Sequence, residues 1–185
     1  DAKLRRQVRE DIREIQQKLG VTTIYVTHDQ EEALAISDKV IVMNNAVIAQ
    51  EGNPKDLYNF PKNKFVANFI GDANVVKAEV LDKQSNFYDL KIAEMKIKLQ
   101  SDNDLGKNIS VALRPEKIFI NRNKEENCIH ATINNASFVG SSYQYILNSN
   151  AGKLFVISGE TNDIFKVGDE VFLSINDQEV KILND

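Results

Sequence analysis

The spacing of apolar residues changes along this chain, from a helical period in the first third to a period of two beyond it. Leu4, Val8, Ile12, Ile15 and Leu19 recur at helical spacing and predict a helix with one apolar stripe. Asp1 can cap its start, Gly20 fits the left-handed position after its end, and Glu14 with Lys18 adds an i,i+4 pair. Val21 to Thr27 is short, β-branched and apolar on both faces, which predicts a strand of a covered parallel sheet. Asp29 then caps a helix with Glu32 three residues on, and Ala33, Leu34 and Ile36 form its apolar side.

Val40 to Met43 and Val47 to Glu51 predict two strands joined at Asn44-Asn45. Asn53-Pro54 starts a short helix over Lys55 to Asn59, which Pro61 stops. Lys62 to Ile70 reads as a further helix ended by Gly71. Past Gly71, Val80, Val111, Leu113, Ile118, Ile120, Ile129, Ile133, Tyr143, Tyr145, Leu147, Phe155, Ile157, Val171, Leu173 and Ile182 sit in short strand-like runs. Asn, Asp and Gly clusters separate these runs, the spacing of a small β-barrel. The expected organisation is therefore an α/β portion over residues 1–71 and a β domain over residues 72–185.

Charge supports that boundary. Residues 1–71 hold 10 basic and 10 acidic residues, so the whole net charge of −4 lies beyond Gly71. An acidic balance argues against broad nucleic-acid binding. Cys128 is the single cysteine, which excludes an internal disulfide and suits a reducing, cytoplasmic setting. Apolar runs never exceed four residues, so a membrane role would act through partner chains.

His28 is the candidate for chemistry. It follows the strand-like run and precedes a helix N-terminus, where open α/β sheets gather ligands and where N–H groups and the helix dipole favour a phosphate. A neutral imidazole there can still donate one hydrogen bond. On spacing alone His28 also fits a plain loop or capping position. Cys128 and His130 are too few for a metal site, which needs about four ligands. Lys3, Arg5, Arg6, Arg9 and Arg13 are interleaved with Glu10, Asp11 and Glu14, as on a solvated helix face. Tyr143 and Tyr145 could stack a ligand, although packing is the simpler use.

The run Tyr25-Val26-Thr27-His28-Asp29-Gln30-Glu31-Glu32-Ala33-Leu34, followed by Ser37-Asp38-Lys39-Val40, resembles the switch-histidine region of ABC-importer ATPases of the maltose and spermidine/putrescine type. Asp1-Ala2-Lys3-Leu4-Arg5 resembles the end of that family's D-loop. Gly52 to Tyr58 with Phe65 to Gly71 resembles the run leaving the ATPase core, and Leu113-Arg114-Pro115-Glu116 resembles a signature of the OB-like TOBE regulatory domain. The resemblance implies the C-terminal part of a nucleotide-binding domain over 1–71 and a TOBE domain over 72–185. It implies that His28 contacts the γ-phosphate of ATP and that Asp1 communicates across an ATPase dimer.

A P-loop needs Gly, four residues, then Gly-Lys-Ser/Thr, and no two glycines here have that spacing. A Gly-Gly pair is absent too, and Asp169-Glu170, the single Asp-Glu dipeptide, follows no apolar strand. The expectation is an ATPase tail that cannot hydrolyse ATP alone, with ATP and Mg²⁺ bound only by the full-length, peripheral inner-membrane subunit. Implied partners are a second copy, ABC transmembrane subunits and, indirectly, a solute-binding protein. Polyamine is the expected solute, because the His28 run, Val75 to Val80 and Leu113 to Glu116 look most like the spermidine/putrescine subunits. Sugar, ferric ion or another solute are the alternatives, and a stand-alone β-barrel module binding a small oxyanion or a protein is the alternative of another class.

Overall fold

The computed structural model describes residues 2–161 and 164–184. The chain divides into two compact units, Asp1–Gly71 and Asp72–Asp185.

The first unit opens with α1 (Ala2–Leu19), whose end is turned by Gly20 at φ +63°, with the Gly20 N–H on the Gln16 carbonyl at 2.9 Å. Asp1, expected as its cap, lies outside the described residues. Glu14 and Lys18 pair at 2.5 Å. Residues 21–27, expected as a strand, form none. Ile24 is 88% and Val26 90% exposed. The reason is physical: a strand needs a neighbour for its N–H and C=O groups, and among the described residues none pairs with this stretch.

The helix α2 (Gln30–Ile36) follows, capped by Asp29. β1 (Val40–Asn44) and β2 (Val47–Gly52) form an antiparallel hairpin. Its turn falls on Asn45-Ala46, one residue later than expected, because these two carry the positive φ (50° and 63°) that a tight hairpin turn requires. α3 (Pro54–Asn59) and α4 (Lys64–Phe69) each start at an asparagine: Asn53 accepts the Asp56 N–H at 2.9 Å, and Asn63 the Val66 N–H at 3.0 Å. α4 is shorter than the expected Lys62–Ile70 because Asn63, in extended conformation, is the cap rather than a helical residue. Between them the buried Gln50 side chain donates to the Phe60 carbonyl and accepts the Lys62 N–H, satisfying the backbone around Pro61. Val40, Val42, Leu57, Val66 and Ile70 form the core, with Ala33 and Leu34 of α2 packed on it.

The second unit is β3 (Asn74–Gln84), β4 (Phe87–Ile92), β5 (Met95–Gln100), β6 (Asn108–Leu113), β7 (Phe119–Asn121), β8 (Ile129–Phe138), β9 (Tyr143–Ser149), β10 (Gly152–Ser158), β11 (Glu170–Ser174) and β12 (Lys181–Leu183). Two five-stranded sheets result, ordered β12-β6-β3-β4-β5 and β10-β9-β8-β11-β7, with every pairing antiparallel. Period-two patterning places the residues: Met95, Ile97 and Leu99 are buried while Lys96, Lys98 and Gln100 point out. Both sheets contribute to one core that includes Tyr88, Leu90, Val111, Ile133, Tyr145, Leu147 and Leu173, an OB-like half-barrel arrangement. Ile118, expected in a strand, follows a single 3-10 turn at Pro115–Lys117, and its side chain still enters the core.

Side chains close two sheet edges. Asn74 accepts the Phe155 N–H at 2.6 Å and donates to the Phe155 carbonyl at 2.7 Å. Asn127 does the same at Lys96, at 2.7 and 2.6 Å. Each carboxamide replaces a strand partner.

Candidate functional site

His28 sits in a bend between the extended stretch and α2, with its side chain exposed. Its neighbours fix the backbone on either side. The Thr27 hydroxyl accepts the Asp29 N–H at 2.9 Å and donates to Glu32 Oε2 at 2.9 Å. The Tyr25 hydroxyl donates to the same Glu32 oxygen at 3.0 Å. That hydrogen bond to Glu32, with some desolvation, raises the Tyr25 phenol above its ordinary pKa. The capping box expected from Asp29 and Glu32 is therefore only half made, because Thr27 takes the N–H that Glu32 would have taken.

The start of α2 differs from the expectation of free N–H groups. Asp29 Oδ1 accepts the N–H groups of Glu31 and Glu32 at 2.9 and 3.2 Å. Those donors are thus occupied by a carboxylate, and Asp29, Glu31 and Glu32 surround the bend with negative charge. A phosphate reaching this place would meet His28 as its donor, and its charge would have to be balanced by cationic groups from elsewhere. Among the described residues no cluster of His, Cys, Asp and Glu is able to hold a metal ion. The D-loop candidate Asp1 lies outside the described residues.

The other candidates resolve into packing. α1 and α2 border an open groove of about 520 Å³ whose arginines 6, 9 and 13 face glutamates 10, 14 and 31. Arg6 lies 4.0 Å from Glu10, and Arg13 makes a two-pronged bond to Asp38 at 2.6 and 3.1 Å, so the face is charge-balanced. Cys128 is buried with its Sγ 3.1 Å from the Glu125 carbonyl, while His130 is exposed and paired with Glu170. Tyr143 and Tyr145 stack at 5.8 Å, and Tyr145 is fully buried, which makes it core rather than a ligand platform. Residue Gln30 was missed by sequence reasoning. Its side-chain oxygen accepts the N–H of Gly71, 41 positions away, and no local pattern signals such a contact.

No helix among the described residues is long and apolar enough to cross a membrane. Residues 111–183 match the model of the TOBE domain family. The whole chain aligns with proteins named Fe(3+) ions import ATP-binding protein FbpC: at 35% identity with that of Brucella abortus (strain 2308), covering 52% of that protein, and at 36% with that of Agrobacterium fabrum, again covering 52%. The Fusobacterium nucleatum protein is 36% identical over 190 residues, of which the chain covers 50%. The chain thus spans about half the length of the curated relatives it matches. A solved structure of the cytoplasmic molybdate-binding protein ModG, with molybdate bound, aligns with 58% of this chain and 92% of that one at a TM-score of 0.47 and 12% identity, too distant to carry an argument. The TOBE match over residues 111–183 and the alignment along the whole chain agree, and together they support a TOBE-bearing portion of an ABC-importer ATP-binding subunit.

Proposed function

We propose that the full-length subunit hydrolyses ATP to drive solute import, with His28 contacting the γ-phosphate and residues 1–71 belonging to its nucleotide-binding domain. The observation that carries the reading is the placement of His28. Its backbone is held between the hydrogen bonds of Thr27 and Asp29 while its ring stays exposed. A preorganised donor of this kind acts electrostatically, positioning the phosphate and the attacking water without forming a bond.

The residues of this stretch fit the edge of a phosphate site and no more. His28 supplies one donor, the carboxylates around it supply no positive charge, and the sequence holds no P-loop. ATP and Mg²⁺ would therefore be held by other parts of the full-length subunit, and this stretch alone should be inactive. ATP supplies the reacting phosphoryl group and Mg²⁺ neutralises its charge. A second copy, transmembrane subunits and a solute-binding protein complete the assembly at the inner membrane face. Ferric ion is the solute that accords with the names of the relatives. Polyamine, expected from the His28 run, finds no support in those names.

The test is His28→Ala in the full-length subunit. ATP binding should persist while hydrolysis falls by about a hundredfold, the effect of deleting one preorganised transition-state donor. Unchanged turnover would refute the role. Uptake of labelled ferric ion against labelled putrescine by the assembled transporter separates the two solutes.

A further inference from the structure

The bend carrying His28 and the last residue of the first unit are joined by one side chain. Gln30, two residues after His28 and the first residue of α2, accepts the Gly71 N–H on its Oε1 at 2.5 Å. Gly71 ends α4's run: the Ile70 N–H bonds to the Val66 carbonyl at 2.9 Å, then Gly71 and Asp72 adopt φ of +84° and +48°. The N–H just beyond a helix normally turns back onto the helix's own last carbonyls. Here a side chain from 41 residues upstream takes it instead. Ordering a glutamine for this purpose costs side-chain entropy that a local turn would avoid, so the contact ties two places rather than merely capping one. Apolar packing supports it: Ala33 and Leu34 of α2 lie on the cluster that contains Val66 and Ile70 of the α4 end.

We propose that Gln30 is a positioning residue that makes the backbone at Gly71 and Asp72 follow the state of the His28 bend. A displacement of residues 28–30 carries the Gln30 oxygen with it and pulls on the Gly71 N–H. The nucleotide state is thereby passed to the point where the chain enters residues 72–185. Coupling of this kind needs a physical link that both ends bias, and Gln30 is that link. The inference rests on the reading of His28 as a phosphate contact.

The experiment is hydrogen exchange on the full-length subunit, with and without ATP and Mg²⁺, comparing the unsubstituted protein, Gln30→Leu, Gln30→Glu and His28→Ala. Without nucleotide, Gln30→Leu should exchange the Gly71 amide about tenfold faster, the effect of losing one hydrogen bond, while the core amide of Leu57 is unchanged. In the unsubstituted protein nucleotide should change exchange over residues 69–74; in Gln30→Leu that change should be lost with ATP still bound. Gln30→Glu keeps an acceptor and should behave as the unsubstituted protein. A nucleotide response at 69–74 that survives in Gln30→Leu, or is absent from the unsubstituted protein, overturns the proposal. Should Gln30→Leu also loosen Leu57, the glutamate variant decides: loss of the response there overturns the link. Normal hydrolysis by His28→Ala would overturn the phosphate role instead, and the nucleotide-free arm would still report on the Gln30–Gly71 bond.

Discussion

Replacing Asn74 should weaken the second unit by a calculable amount. Its carboxamide makes three hydrogen bonds to backbone: from Phe155 N–H at 2.6 Å, to the Phe155 carbonyl at 2.7 Å and to the Leu113 carbonyl at 3.3 Å. Asn74 is 9% exposed. Asn74→Ala leaves the two Phe155 groups unpartnered, and a buried unsatisfied group costs about 1–3 kcal/mol. Phe155 is half-buried, so water recovers part of that, and a loss of about 2–3 kcal/mol remains. With an m-value of about 1–3 kcal/mol per molar in urea, the midpoint should fall by roughly 0.7–3 M. The chain has no tryptophan, so tyrosine fluorescence reports unfolding; Tyr88, Tyr143 and Tyr145 lie in this unit, and replacing Tyr25 and Tyr58 with phenylalanine removes the signal of the first.

Asn74→Asp provides the sharper version. At neutral pH a carboxylate faces two carbonyl oxygens and lacks the donor, so this variant should be less stable than Asn74→Ala. The folded-state pKa of that carboxyl should be raised, since its charged form is disfavoured. Its penalty is then full at neutral pH and relieved as pH falls toward the unfolded value of about 3.9. An unchanged midpoint for Asn74→Ala, or a penalty for Asn74→Asp that grows on acidification, would refute the reasoning.

Two further substitutions test single features. Ser110 Oγ is buried with no hydrogen-bond partner, so Ser110→Ala should be neutral or stabilising by up to about 1 kcal/mol, read as a urea midpoint that does not fall. The hydrogen bond from Arg13, then its charge, holds Asp38 below the usual carboxylate range. Its stabilising contribution is therefore present above the ordinary value and is lost as pH falls through the folded one. Carboxyl-carbon NMR should show a low Asp38 midpoint that Arg13→Gln returns to normal.

How far the sequence reveals this molecule depends on the distance over which each element is determined. α3 is set by residues at its own start, Asn53-Pro54, so pattern and chemistry point to the same place, whereas α4 starts two residues later than its apolar spacing suggests because the Asn63 cap decides it. The strands of the second unit show because period-two runs such as Tyr143 to Leu147 need only know which face is inside. The stretch 21–27 misleads for the opposite reason: β-branched residues favour a strand, but partners decide whether one forms. Contacts such as Gln30 to Gly71, Asn74 to Phe155 and Asn127 to Lys96 join residues 31 to 81 positions apart and leave no local trace. His28 stands out only through its resemblance to a family, since a histidine before a capped helix is otherwise ordinary.

The two units also differ in how completely they bury what they carry, and that difference bears on function. In the second unit the apolar strand faces meet one another across a single core. In the first, Val40 and Val42 are buried on one side of the hairpin, while Ile41, Met43, Val47 and Ile48 are 51–67% exposed. Leu4, Ile15 and Leu19 on α1, and Ile24 and Val26 after it, are exposed as well. Contiguous apolar surfaces of this kind mark faces that pack on something else, and a strand apolar on both sides is the pattern of a covered sheet. These exposed apolar residues accord with the proposed reading, in which residues 1–71 belong to a larger nucleotide-binding domain and the chemistry proposed for His28 belongs to the full-length subunit.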